Sequence, residues 1–184
     1  MIFAVVFVVI IFFYVVAVYN TFIRKRNSIE NTFGAIDVML KKRYDLLPNL
    51  VASVQQYAKH EQNLFSKVSE LRAKQFGSLT EKEKSDFDQA FTQASRRFFA
   101  VAEEYPDLKA SENFLQLQRA LNEIEEQLAA ARRTYNASVV DYNNAVMTFP
   151  SSLVAGMFHF PKKEVLETPA EEQVNPDVKK LFNS

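Results

Sequence analysis

Eighteen consecutive residues, Ile2 to Tyr19, carry no charged side chain, and Arg24-Lys25-Arg26 follows close behind. If the apolar run continues to Ile23 as a helix, it is about 34 Å long at about 1.5 Å per residue. A bilayer's hydrocarbon core is about 30 Å thick. In lipid every backbone N–H and C=O must find its partner within the segment, so the run is expected to be helical despite its many β-branched residues. Residues 1–23 therefore read as a transmembrane anchor. A cleaved signal sequence would show a basic stretch before the apolar run and a small-x-small site after it. Only the amino terminus is basic ahead of the run, and Val18 and Tyr19 suit a cleavage site poorly.

The flanks set an orientation. Residues 20–60 hold seven basic side chains against three acidic ones, a balance of +4. Basic residues beside a span stay on the cytoplasmic side. The expectation is a single-pass membrane protein with its large domain in the cytoplasm. Tyr14 and Tyr19 fall toward the inner boundary, where amphipathic rings settle. Arg24, Lys25 and Arg26 are expected to contact anionic headgroups, at about 1 kcal/mol per residue near the surface.

The rest of the chain suits one domain with its own core. Its formal net charge is +0, which argues against a nucleic-acid partner, since that role needs a strong basic excess. There is no cysteine, hence no disulfide, thiolate chemistry or zinc–sulfur site. Three glycines and six prolines are few breakers for 184 residues, and the periodicity is helical.

Apolar residues recur at steps of three and four from Ile29 through Phe33, Ile36, Leu40, Tyr44, Leu47, Val51, Val54 and Ala58, then Phe65, Val68 and Leu71, with a break at Glu61. Nothing between Tyr19 and Leu47 except Gly34 would interrupt a helix growing out of the span. Pro48 sits within the pattern and predicts a kink, at a cost of about 3 kcal/mol before packing compensates. Phe76-Gly77-Ser78 ends this stretch. Thr80 and Glu83 have the spacing of a capping box. Phe87, Phe91, Ala94, Phe98, Ala102 and Tyr105 line the next helix, which Pro106-Asp107 stops. Asp107 or Ser111 caps a third, striped from Phe114 through Leu121, Leu128, Tyr135 and Tyr142 to Phe149. Its mean step is about 3.5 residues, which favours coiled packing.

The domain reading is a 24–149 long-helix bundle, an apolar loop at 150–161, and an extended or disordered tail at 162–184. The fold class is all-α: an N-terminal transmembrane helix continuing into a bundle of long antiparallel helices.

Three stretches resemble the LemA family of bacterial membrane-anchored proteins. The first holds Arg-Tyr-Asp-Leu-Leu-Pro-Asn-Leu-Val at 43–51 and Tyr-Ala-Lys-His-Glu at 57–61. The second is Val-Ala-Glu-Glu-Tyr-Pro-Asp-Leu-Lys-Ala-Ser-Glu-Asn-Phe-Leu-Gln-Leu-Gln at 101–118. The third, within 132–160, carries Arg-Arg-Thr-Tyr-Asn, Asp-Tyr-Asn-Asn and Phe-Pro-Ser-Ser-Leu-Val-Ala-Gly-Met-Phe. The resemblance spans nearly the whole chain. It implies long antiparallel helices on one N-terminal span, and no established enzymatic activity. A magnetosome-membrane protein resembles the same family, so the resemblance also implies membrane organisation as a theme.

No catalytic constellation is evident and no cofactor is expected. His60-Glu61-Gln62-Asn63-Leu64 begins like a zinc-protease helix, but Leu64 stands where the second histidine must be. Glu123, Glu125 and Glu126 lack the Glu-x-x-His pairs of a bundle metal site and read as a solvated face. Lys41-Lys42-Arg43 likewise reads as a solvated face or a partner contact. Asn136 and Asn143 are seven apart and share a helical face, although asparagine is a poor interior helix residue. They are either a seam that fixes register between helices or subunits, or a satisfied intramolecular network.

Thirteen of the seventeen phenylalanines lie beyond Tyr19. Phe99, Leu115 and Val140 fall beside or off the main stripes, and Leu153, Met157, Phe158 and Phe160 add apolar surface in the loop. With Asn136 and Asn143 these are the candidates for self-association. The functional expectation is a non-enzymatic scaffold that homo-oligomerises on membrane lipids and organises or shapes the bilayer. The alternative is a membrane-anchored adaptor that recruits an unidentified signalling or proteolytic protein partner.

Overall fold

In the computed structural model of the chain, residues 1–55, 57 and 62–166 are described. The elements are α1 (Ile2–Gln55), α2 (Gln62–Ala73), a 3-10 turn (Phe76–Ser78), α3 (Glu81–Glu104), α4 (Pro106–Lys109), α5 (Glu112–Met147) and α6 (Ser151–Met157). No strand occurs among the described residues, and the all-α expectation holds. Ala58, His60 and Glu61, and the tail beyond Leu166, lie outside the described residues. The chain forms two compact units, one of residues 1–33 and 132–184, the other of residues 34–131.

The 34–131 unit packs parts of α1 and α5 with α2, α3 and the short α4. Lys84 Nζ on α3 lies 2.6 Å from Asp37 Oδ1 on α1, and Arg43 on α1 pairs with Asp88 on α3. Both numbers rise together, so these segments run parallel. The Tyr44 hydroxyl donates to the Arg72 carbonyl at 2.9 Å, so α2 runs back along α1. The Phe98 and Phe114 rings stack at 5.5 Å, while Glu125 reaches Arg43, so α5 descends against α3. The expected stripes supply the core: Ile36, Leu40, Leu47 and Val54 from α1, Phe87, Phe91 and Phe98 from α3, and Phe114, Leu121 and Leu128 from α5 are buried. The helix continues through Pro48. Pro48 lines a groove of about 530 Å³ with Leu47, Val51, Val68 and Arg72.

Caps fall where the sequence placed them. The Thr80 hydroxyl accepts from Glu83 N–H at 3.3 Å, and the Glu83 carboxylate accepts from Thr80 N–H at 2.8 Å. Phe114 N–H donates to Ser111 Oγ at 3.3 Å, so Ser111, not Asp107, caps α5.

Two expectations are corrected. The apolar stretch 150–161 is not all loop, because Ser151–Met157 is a helix. Seven residues show no period, but local bonds hold the turn. Ser151 Oγ donates to the Ala145 carbonyl at 2.7 Å and the Thr148 carbonyl at 2.8 Å. Phe160 N–H reaches the Ala155 carbonyl at 3.0 Å, and His159 takes the left-handed φ of 55° that this closure uses. Phe149 leaves the α5 stripe because the helix ends at Met147, and it is exposed.

Candidate membrane-proximal site

The first part of α1 contains an 18-residue window of mean hydropathy 3.1, none of it buried. By length and composition this helix is able to cross a bilayer. Burial begins at Phe22, which is 0% exposed. Thr21 Oγ1 donates to the Ala17 carbonyl at 2.9 Å and accepts from Arg24 at 3.1 Å. The basic triplet is not uniform. Arg24 and Arg26 are exposed, while Lys25 is partly covered and ion-paired to Asp141 on α5.

That pair fixes a register. The rings of Phe33 and Tyr135 meet at 5.9 Å, so Lys25 and Phe33 face Asp141 and Tyr135 in reverse order. The helices are antiparallel here, and α5 returns toward the span. From Asp141 to the helix end at Met147 is six residues, a rise of about 9 Å. Six residues back from Lys25 is Tyr19. Ring contacts place the following turn at the same height: Tyr19 lies 5.0 Å from Phe158 and 5.6 Å from Phe160, and Phe22 lies 4.9 Å from Phe160.

Beyond Phe160 the chain runs back along α5 as an extended segment. Asn143 Nδ2 donates to the Lys163 carbonyl at 2.8 Å, and Asn143 Oδ1 accepts from Lys163 N–H at 2.9 Å. Asn136 treats Leu166 identically, at 2.9 and 2.8 Å. The spacing explains the fit. Seven helical residues rise about 10.5 Å, and three extended residues cover about 10 Å. The neighbouring Tyr142 hydroxyl donates to the Pro161 carbonyl at 2.9 Å. Burial of that phenol pushes its pKa up, only partly offset by Arg26. Of the two readings of this asparagine pair, the intramolecular network is the one the structure contains.

The remaining candidates fall elsewhere. Phe158 and Phe160 pack on the chain's own Tyr19 and Phe22. Phe99 packs on Phe98 at 5.6 Å and Phe114 at 5.9 Å. Leu115 and Val140 are exposed, and Leu153 and Met157 more so, each at 65%. Among the described residues no group of three or more His, Cys, Asp or Glu is placed to hold a metal ion.

Sequence reasoning missed Arg43. The solvated-face reading of Lys41-Lys42-Arg43 fails for it, since Arg43 is 2% exposed and pairs with Asp88 and Glu125. Its guanidinium also lies over the Phe91 ring at 5.3 Å. The signal was available: Arg43 is three residues after Leu40 and four before Leu47, on the core face. Glu125 is correspondingly not a plain solvated acid.

These features define a class: an all-α, membrane-associated protein whose apolar N-terminal helix runs on into packed long helices. The LemA family profile matches residues 32–179, and the chain belongs to that family. It is 27% identical over 179 residues to Protein LemA of Metamycoplasma hominis, covering 95% of this chain and 80% of that protein. It is 26% identical to Magnetosome protein MamQ 2 of Paramagnetospirillum magneticum over 81% of this chain. It is 25% identical to Magnetosome protein MamQ of Magnetospirillum gryphiswaldense over 83% of this chain. The matches span 64% and 66% of those two magnetosome proteins.

Proposed function

We propose that the chain is a single-pass, non-enzymatic scaffold of the bacterial inner membrane, whose copies associate side by side and organise or shape the bilayer. The observation that carries this is α1. Its first part is apolar and unburied, and the same helix runs on to Gln55 as a packed element. Leu115 adds exposed apolar surface beyond the span. The balance of +4 over residues 20–60 favours a cytoplasmic domain. Likeness to proteins named for the magnetosome supports membrane organisation as the theme. A cyclic array is natural, because identical subunits crossing the bilayer in one sense repeat around an axis normal to it.

Light scattering of the full chain in mild detergent tests self-association. A defined multiple of the 21.2 kDa chain is expected. A single species at one chain mass across a wide concentration range removes the scaffold and leaves an adaptor that recruits a partner. Intact mass and a reporter fused after Ser184 test anchor and orientation. A chain lacking residues 1–19, or an externally active reporter, refutes the respective claim.

A further inference from the structure

The turn after α5 has an apolar surface that the protein does not cover. Within α6, Val154 and Ala155 are 3% exposed, whereas Leu153 and Met157 are each 65% exposed. The helix's only polar side chains are Ser151 and Ser152, and Ser151 is spent on backbone carbonyls. A helix apolar on both faces is normally buried on both. Phe149 and Phe158 flank it at 76% and 44% exposure. Contiguous patches of this kind mark interaction sites.

The position of the patch identifies its occupant. Phe158 packs on Tyr19 at the end of the apolar span, and the Lys25–Asp141 register puts the end of α5 at the height of Tyr19. The patch is therefore continuous with the surface that lipid would cover. Behind it, at the height of Asn143, lie exposed Arg24, Arg26, Lys162 and Lys163. The acids in this layer are Asp141, already paired with Lys25, and exposed Glu164. An apolar tip backed by a basic layer is the arrangement of an element lying in the interface of an anionic bilayer.

We propose that Phe149, Leu153, Met157 and Phe158 enter the bilayer interface beside the span and form a second, shallow lipid contact. This rests on the reading of α1 as a membrane span. Two contacts at different depths resist tilting and rotation of the helix pair, which one span alone does not.

The chain has no tryptophan, so single substitutions report without background. Full-length Leu153→Trp, Met157→Trp, Val140→Trp and Ile10→Trp variants, each with the parent's helical spectrum, are reconstituted into phosphatidylethanolamine–phosphatidylglycerol vesicles. Lipids brominated near the headgroup or near the chain end serve as quenchers, with iodide in the water. Residues 153 and 157 are expected to show blue-shifted emission and loss of intensity to the shallow bromines. Residue 140 is expected to lose intensity to iodide, and residue 10 to the deep bromines. Emission at 153 and 157 that follows iodide as at 140 overturns the proposal. So does shielding from iodide without bromine quenching, which means that protein covers the patch. In both cases quenching of residue 10 by deep bromines keeps the span. Its absence removes the span, and the second contact with it.

Discussion

Replacing Arg43 with methionine keeps most of the stem's volume and removes the charge. Asp88, at 13% exposure, then loses its ion pair with Arg43. Breaking a buried pair by removing one partner costs about 3–5 kcal/mol, because the surviving charge is stranded. Glu125 is half in water, at 53% exposure, so it rehydrates and its share is about 1 kcal/mol or less. The lost cation–ring contact with Phe91 adds about 1 kcal/mol, which a methionine sulfur on the same ring largely returns. The net expectation is a loss of about 3–4 kcal/mol, most of it due to Asp88. The assay is urea unfolding of the full chain in mild detergent, followed by far-UV circular dichroism and read from midpoint and slope. The deciding comparison is the double variant Arg43→Met/Asp88→Leu, in which both members of this pair are gone. It is expected to recover to within about 1 kcal/mol of the parent. Parental stability in Arg43→Met refutes the reasoning. So does a double variant no more stable than the single one, since the loss would then come from shape alone.

Leu128→Asp puts an unpaired charge at a fully buried core position and is expected to cost more than about 4 kcal/mol, seen as loss of cooperative thermal unfolding; unchanged stability rejects the α5 stripe. Thr80 N–H, and then the Thr80 hydroxyl, hold the Glu83 carboxyl below its ordinary 4.5. A pKa lowered by folding stabilises above the unfolded value and is lost as pH falls through the folded one. Glu83→Gln is therefore expected to flatten the acid-side decline in stability below about pH 4.5 and to leave the slope near neutrality unchanged, as pH-resolved melting would show. Asn136→Ala with Asn143→Ala removes four hydrogen bonds to the 163–166 backbone, each worth about 1 kcal/mol net. Hydrogen exchange at the Lys163 and Leu166 amides is expected to accelerate sharply while the α5 core stays protected.

The stripes were legible because helix burial follows a period that local sequence carries. Ile36, Leu40, Phe87, Phe98, Leu121 and Leu128 all lie where that period puts them. The capping box was legible for the same reason, as its partners are three residues apart. Arg43 was hidden because its partners lie 45 and 82 positions away, and a run of three basic residues resembles a wet surface until neighbours arrive. The helix Ser151–Met157 is too short to display a period, and the contacts that define its setting are the long-range ones of the following Phe158 and Phe160 with Tyr19 and Phe22. The spacing of Asn136 and Asn143 was visible, but the extended segment that matches it carries no pattern of its own.

The two asparagines hold that segment by its main chain. They read the N–H and C=O of Lys163 and Leu166 and take no account of what hangs from the α-carbons. Side chains along 161–166 are thus free to drift in sequence without loosening the attachment. One residue type is barred: proline at 163 or 166 has no N–H to give. Pro161 is consistent with this rule, since Tyr142 asks only for its carbonyl. The segment is specified by where proline is forbidden rather than by which residues are required, a constraint that proline scanning would reveal as two isolated intolerant positions in an otherwise permissive stretch.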